Sequence, residues 1–312
     1  MTRREAPSDV TLRPLRPADL GAAHALWQRS AALDPIPPAV LAEKLWGDPA
    51  GPALAAEIGG DLAGVGSGAI WYVPGEPTGR RSQRRGSVRL LAVAPERRRR
   101  GVGSALLRAL AEALRQRGAT SLRIGEAAPN YLTPGVDVRY DAAPAFFAAH
   151  GLRETGEAVN LGVDLMEEDW ATTGDEARLD AAGVSVRRAT EADRAALAAL
   201  LDAHWPAWQP EADGALARRP PAVHLALRDG GALGFAAHSA TNAPLGWFGP
   251  MGTAPEARGL GVGAVLLRRC LADLKAEGHE RATIAWAAAL PFYERACGAT
   301  VERRFRRFER AL

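Results

Sequence analysis

The chain has 312 residues, 47% of them hydrophobic and 24% charged, and a formal net charge of +3. That length exceeds a single small domain and favours two of about 150 residues. No apolar run approaches the roughly 20 residues needed to cross a bilayer, and residues 1–9 lead into no apolar signal region, so no membrane partner is expected and the expected location is cytoplasmic.

Cys270 and Cys297 are the only cysteines and lack metal-ligand spacing, so they read as buried apolar groups, with no disulfide framework and no metal site. Lys44 and Lys275 are the only lysines. Arginine in place of lysine, with abundant Ala and Gly, reads as the genomic base composition of a bacterial source rather than a nucleic-acid footprint.

In the first half, an alternating strand from Val10 reaches Asp19 ahead of a helix over 20–29. Pro35, Pro37 and Pro38 break the chain before a second helix over 38–46. Strands follow at 53–58 and 62–73, turned by Gly59-Gly60-Asp61, and 74–87 reads as an exposed hairpin loop. A strand at 88–94 enters a glycine-rich turn. A helix over 101–117 then ends at Gly118, where a C-cap glycine belongs. A strand at 120–126, an irregular insert over 127–140, a helix over 142–150 and a strand at about 158–165 complete this half. Residues 166–182 carry a block of negative charge and read as a linker with one helical turn at most.

The second half repeats the order. A strand at 184–188 and a helix over 191–203 precede a loop holding His204, Trp205, Pro206, Trp208 and Pro210. Strands at 222–228 and 232–239 turn at Asp229-Gly230-Gly231, and a strand at 245–252 enters the second glycine-rich turn. A helix over 262–277, a strand at 281–286, a helix over 289–297 and a basic strand at 300–309 follow. This is an α/β pattern with a mixed sheet, present twice, with domains at 8–165 and 183–312.

The repeat is anchored by its loops. Pro95, Arg98, Gly101 and Gly103 fall in register with Pro255, Arg258, Gly261 and Gly263. A glycine turn lets backbone N–H groups converge, the helix after it leaves its first N–H groups unpaired, and arginine adds a fork suited to phosphate oxygens. The pattern is an anion cradle. Neither loop has the third glycine or the acidic partner of a dinucleotide fingerprint.

Both halves resemble the GNAT family of N-acetyltransferases. The family's pyrophosphate motif, Gln/Arg-x-x-Gly-x-Gly/Ala, stands here as Arg98-Arg99-Arg100-Gly101-Val102-Gly103 and Arg258-Gly259-Leu260-Gly261-Val262-Gly263. Its aromatic-Tyr pair on a short helix ending in Gly matches Phe292-Tyr293 before Gly298, while the first half has Phe146-Phe147 before Gly151. The resemblance implies two tandem domains, each a mixed, mostly antiparallel sheet flanked by helices. It further implies acetyl-CoA as cofactor and CoA as product, with the cofactor's pantetheine beside Val93 in one half and Met251 to Thr253 in the other. The fourth and fifth strands of each domain would splay to admit it.

The implied activity is direct transfer of acetyl from acetyl-CoA to a primary amine of a small molecule or peptide. Tyr293 would protonate the leaving thiolate. Phe147 cannot, which leaves the first half either catalytically weakened or served by Tyr131 or Tyr140. For the base, the strand at 245–252 offers no carboxylate; His238, Glu280 and, in the first half, Glu126 are the candidates, with bulk water as the remaining account. His204, Trp205 and Trp208, with His238, are the candidate substrate contacts, the aromatics forming a wall that accepts a cation.

An alternative of another class is a non-catalytic acyl-CoA-binding sensor or scaffold. A nucleic-acid reading of the arginines at 97–100 and 303–307 finds no accompanying motif, so no nucleic-acid partner is expected.

Overall fold

A computed structural model describes residues 9–73 and 83–312. The chain begins with β1 (Val10–Pro14), α1 (Leu20–Ser30), α2 (Pro38–Trp46), β2 (Ala53–Ile58), β3 (Asp61–Val73) and β4 (Gln83–Val93). Then come α3 (Val102–Gln116), β5 (Ser121–Ile124), a two-residue β6 (Val136–Asp137), α4 (Ala143–Ala149) and β7 (Arg153–Asp164). The second run comprises α5 (Thr173–Ala181), β8 (Ser185–Arg188), α6 (Arg194–His204), α7 (Gln209–Leu216), β9 (Val223–Arg228) and β10 (Gly231–His238). It closes with β11 (Trp247–Thr253), α8 (Val262–Ala276), β12 (Arg281–Ile284), α9 (Leu290–Cys297) and β13 (Thr300–Ala311). Of the loop expected over 74–87, residues 74–82 lie outside the described residues, and from Gln83 the chain is already in β4. Among the described residues no helix is long and apolar enough to cross a membrane.

The chain forms two compact units, one of Met1–Ala158 with Arg304–Leu312, the other of Val159–Arg303. In the first, the strand order is β1-β2-β3-β4-β5-β13. In the second it is β8-β9-β10-β11-β12-β7. Within each, one central pair is parallel, β4 with β5 and β11 with β12, and the other strand pairs are antiparallel.

One helix per unit anchors its core. Val102, Ala105, Leu106, Leu107, Leu110, Ala111 and Leu114 recur at helical spacing and are buried along one face of α3. α8 repeats the stripe with Val262, Val265, Leu266, Leu267, Cys270, Leu271 and Leu274. Both cysteines are buried and free, Cys270 within this stripe. Under α3, a Cβ on Gly66 of β3 would come 2.9 Å from Leu110 Cδ1. The absent side chain is what lets helix and sheet approach.

The last strand of each unit is not the one its own half of the sequence supplies. β13 pairs with β5, Glu309 opposite Arg123, while β7 pairs with β12, Leu161 opposite Ile284. The units therefore depart from the expected domains 8–165 and 183–312. Charge complementarity gives the physical reason. Buried Glu126, just past β5, takes both Arg307 of β13, at 2.7 and 2.8 Å, and Arg123, at 2.6 Å, and Arg123 also reaches Glu309 at 3.1 Å. At the register positions of Arg307 and Glu309, β7 carries Asn160 and Gly162.

The segment 166–182 is likewise more than a linker. Its residues Thr173–Ala181 form α5, and Trp170 and Leu179 are 3% and 1% exposed in the core of the second unit. Glu176 accepts two hydrogen bonds from Arg269 of α8, at 2.8 and 2.6 Å. The loop expected after residue 203 holds a further helix, α7, with Pro210 in its first turn, where proline costs no hydrogen bond.

Candidate functional site

Each unit presents the same glycine turn at the entrance to its central helix. Gly101 and Gly261 hold φ at +84° and +89°, a region that disfavours side-chain-bearing residues, and they precede α3 and α8 directly. Ala105 N–H is bonded to Gly101 O at 2.9 Å, and Ala264 N–H to Gly261 O at 3.1 Å. Arg98 and Arg258 N–H are bonded to Pro95 O and Pro255 O at 3.3 Å, and among the described residues the N–H groups between these and the helix bonds, 99–104 and 259–263, have no backbone acceptor. They converge with the positive end of the helix dipole, an arrangement suited to phosphate.

The two cradles differ in their arginines. In the first unit Arg98, Arg99 and Arg100 are exposed on the loop, and Arg98 is turned inward, its Nε donating to Val93 O at 3.3 Å and its Nη2 to Ser30 O at 3.1 Å. In the second unit Arg258 and Gly259 are exposed. A further guanidinium arrives from α5: Arg178 Nη2 lies 2.9 Å from where a Cβ on Gly261 would sit. Sequence reasoning missed Arg178 because its segment reads as linker.

Beyond each cradle the parallel strand pair opens. β4 and β5 pair from Arg85–Ser121 to Val88–Ile124, and residues 89–93 continue past the end of β5. β11 and β12 pair only at Trp247–Thr283 and Phe248–Ile284, leaving 249–253 without that partner. Val93 and Met251 to Thr253 line these openings next to the cradles. Gly103 and Gly263 face the aromatic helices, each with a Phe ring atom (Phe146, Phe292) 3.4 Å from the position of a Cβ.

The far ends of the two openings are unlike. Four residues back from Val93, about 13 Å along the strand, Arg89 is 5% exposed, donates to Lys44 O at 3.0 Å and lies 3.7 Å from Asp48. Phe147, on α4, is buried between Phe146 and Phe308. In the second unit, four residues back from Thr253, stands Gly249, and a Cβ there would meet nothing within 4 Å. Tyr293, on α9, is half-buried with ring contacts to Phe248 at 6.3 Å and Phe292 at 5.1 Å. Burial pushes its phenol up to about 12. At neutral pH it is a proton donor.

The remaining candidates separate. His204 is exposed, and its ring lies 5.2 Å from that of Trp205. Trp205 and Trp208 stack at 5.5 Å, half-buried against Phe235, and the edge of Trp205 presses on Gly252 of β11. Much of the aromatic wall is thus spent on packing, along the strand that borders the opening.

His238 is fully buried. Its Nε2 lies 3.2 Å from Asp273 of α8 and its Nδ1 3.2 Å from Ser239 Oγ, so it does not face a substrate. Glu280 is exposed at the start of β12, about 13 Å from the point where the strands part. Glu126 is held in its arginine pairs. Tyr140 donates to Asp34 at 2.7 Å, which engages its hydroxyl, and Tyr131 is 8% exposed. None of these carboxylates or imidazoles is placed as a base.

The sequence profile of the acetyltransferase (GNAT) family matches residues 21–132 and 190–299. No curated protein sequence matches the chain. Among solved structures, the chain is similar to the GCN5-related glucosamine N-acetyltransferase region of a fungal multi-domain GH3 beta-N-acetylglucosaminidase, with a TM-score of 0.83 and 21% identity, over 98% of this chain and 38% of that one. It is also similar to a GCN5-related N-acetyltransferase from Sphaerobacter thermophilus, with a TM-score of 0.68 and 18% identity, covering 98% of this chain and 97% of that one. A third likeness is to a tandem GNAT protein from the clavulanic acid biosynthesis pathway, at 0.65 and 19%, covering 97% and 98%. The chain, matched by the profile in both halves, belongs to the acetyltransferase (GNAT) family.

Proposed function

We propose that the C-terminal unit transfers an acetyl group from acetyl-CoA to a primary amine of a small molecule or peptide by direct attack. The observation that carries this is the contrast at the far ends of the two openings. Where the first unit has Arg89 and Phe147, the second has Gly249 with open space around it and the phenol of Tyr293.

The residues fit the cofactor. Met251 and Thr253, with Arg258, Gly259, Gly261, Val262 and Gly263, would hold it, the N–H groups and dipole taking its phosphates and β11 taking its arm. Arg178 adds a charge to that cradle. Acetyl-CoA supplies an activated acyl thioester. Tyr293 keeps its proton because burial opposes its ionisation, and it is the group that gives a proton or hydrogen bond to departing sulfur. Strand 245–252 carries no carboxylate, and the amine loses its proton to water. His204, Trp205 and Trp208 border the same strand and form the amine-facing wall.

In the first unit, Val93 and Arg98, Arg99, Arg100, Gly101, Val102 and Gly103 form the matching cradle. With Arg89 and Phe147 at its end, it serves as an acyl-CoA-binding or structural partner without turnover.

The test is incubation of the full chain with acetyl-CoA and a panel of primary amines. Glucosamine comes first, as the amine named for the fungal region, followed by other amino sugars, polyamines and short peptides. Free CoA and N-acetylated product are the readouts. Formation of an N-acetyl product is expected for at least one amine. Tight acetyl-CoA binding with no product across the panel would favour the sensor.

A further inference from the structure

The loop between β12 and α9 is fastened from a distant part of the sequence. Trp286 sits there at φ +50°, a conformation that a bulky residue does not hold unaided. Its N–H donates to Asn160 Oδ1 at 2.9 Å, and the next N–H, of Ala287, donates to Val159 O at 2.9 Å. Asn160 is 2% exposed, on β7, immediately before Leu161, which pairs with Ile284 at the end of β12. Two residues beyond Ala287, Ala289 O receives the N–H groups of Phe292 and Tyr293, at 3.0 and 3.3 Å. A short run of bonds therefore connects Asn160 to the first turn of α9.

The first unit marks the position as significant in its own way. Glu126, the counterpart of Trp286 two residues past the fifth strand, is also left-handed, at φ +41°. It is gripped by Arg307, which occupies on β13 the register position that Asn160 occupies on β7. There the grip is on a side chain and the aromatic helix carries no phenol. In the second unit an amide oxygen grips the backbone itself, and the helix that follows carries Tyr293.

We propose that Asn160 is a positioning residue for Tyr293. By accepting the Trp286 N–H it fixes the 285–289 connection in its left-handed turn, and so sets where α9 starts and where the phenol stands. Turnover in the C-terminal unit then depends on a residue from the first half of the sequence, brought in by β7. This inference rests on Tyr293 as the proton donor.

The experiment uses the full chain labelled with 3-fluorotyrosine, the Tyr293 resonance being assigned by its loss in Tyr293→Phe. Asn160→Leu, similar in size but without an acceptor, is expected to shift or broaden that resonance. It should also lower the rate of CoA release from acetyl-CoA on the order of ten- to a hundredfold, with acetyl-CoA affinity retained. Asn160→Asp keeps an acceptor oxygen and should recover most of the resonance position. In the Tyr293→Phe background, Asn160→Leu should have little further effect on CoA release. An unmoved resonance, or a fully additive loss in the double variant, overturns the proposal.

Should Asn160→Leu fail to fold, amide hydrogen exchange on the unaltered protein decides. Protection of the Trp286 N–H comparable to that within β12 supports the clamp, and exchange at the rate of an exposed loop overturns it. If Tyr293→Phe releases CoA as fast as the parent, the catalytic assignment fails instead. The fluorine resonance still judges the clamp on its own.

Discussion

Asp273 of α8, partly buried with a side chain 17% exposed, is the centre of a polar cluster whose loss has a calculable effect. Its Oδ1 pairs with Arg188 at 2.6 Å, and its Oδ2 takes His224 Nε2 at 2.7 Å and lies 3.2 Å from His238 Nε2. Through these contacts α8 is tied to β8, β9 and β10. The substitution Asp273→Asn keeps the shape and removes the charge. Removing one partner from a buried pair costs about 3–5 kcal/mol. Arg188 is 34% exposed and His224 3%, so water screens part of the loss, and about 2–4 kcal/mol is expected. Urea unfolding followed by far-UV circular dichroism measures it. A change below about 1 kcal/mol would refute the claim that this carboxylate holds the second unit together.

The same cluster fixes the sign of the acid response. Burial pushes His224 below its ordinary 6.5, only partly opposed by its hydrogen bond to Asp273, and its Nδ1 is buried with no hydrogen-bond partner among the described residues. The native imidazole is therefore neutral. The unfolded chain takes up that proton first, so stability present above pH 6.5 is lost as the pH falls below it. Burial raises Asp273, but the hydrogen bonds from the histidines and the charge of Arg188 outweigh it and hold the carboxyl below its ordinary 3.8. Its contribution is lost at still lower pH, once the carboxylate is protonated.

Arg178→Ala should weaken acetyl-CoA binding about fivefold at low salt, about 1 kcal/mol for an exposed charge beside a phosphate site. Calorimetric titration at low and high salt checks it; an unchanged low-salt affinity would remove Arg178 from the cradle. Gly66→Val sets a side chain against Leu110, 2.9 Å from the added Cβ, and should destabilise the first unit by about 1–3 kcal/mol. Scanning calorimetry measures this, and an unshifted transition would show that α3 can back away from the sheet.

What the sequence disclosed and what it hid follow from the reach of each signal. The stripes of α3 and α8 are local, and each fixes its own helix. The loops at Gly101 and Gly261 are local too, because left-handed glycines before a helix declare themselves by residue type. Strand partners are not local. Alternation tells which face of β7 or β13 is buried but not which edge it joins, and the ion pairs of Arg307 and Glu309 with Glu126 and Arg123 exist only once the pairing is made. For that reason Asn160 and Arg178 were invisible as site residues. One sits in a strand assigned to the first half and the other in a charged segment whose few apolar anchors include Trp170 and Leu179. His238 fails the opposite way. A histidine at the end of a strand suggests chemistry, yet this one is buried against the partly exposed carboxylate of Asp273 on α8.

The central claim is that Tyr293 and the C-terminal cradle carry turnover while the first unit does not. Single-turnover CoA release from acetyl-CoA, with an accepted amine, compares the parent protein with Tyr293→Phe at matched cofactor occupancy. The account predicts a fall on the order of a hundredfold or more in the rate, with unchanged acetyl-CoA affinity. A rate equal to that of the parent protein would contradict it.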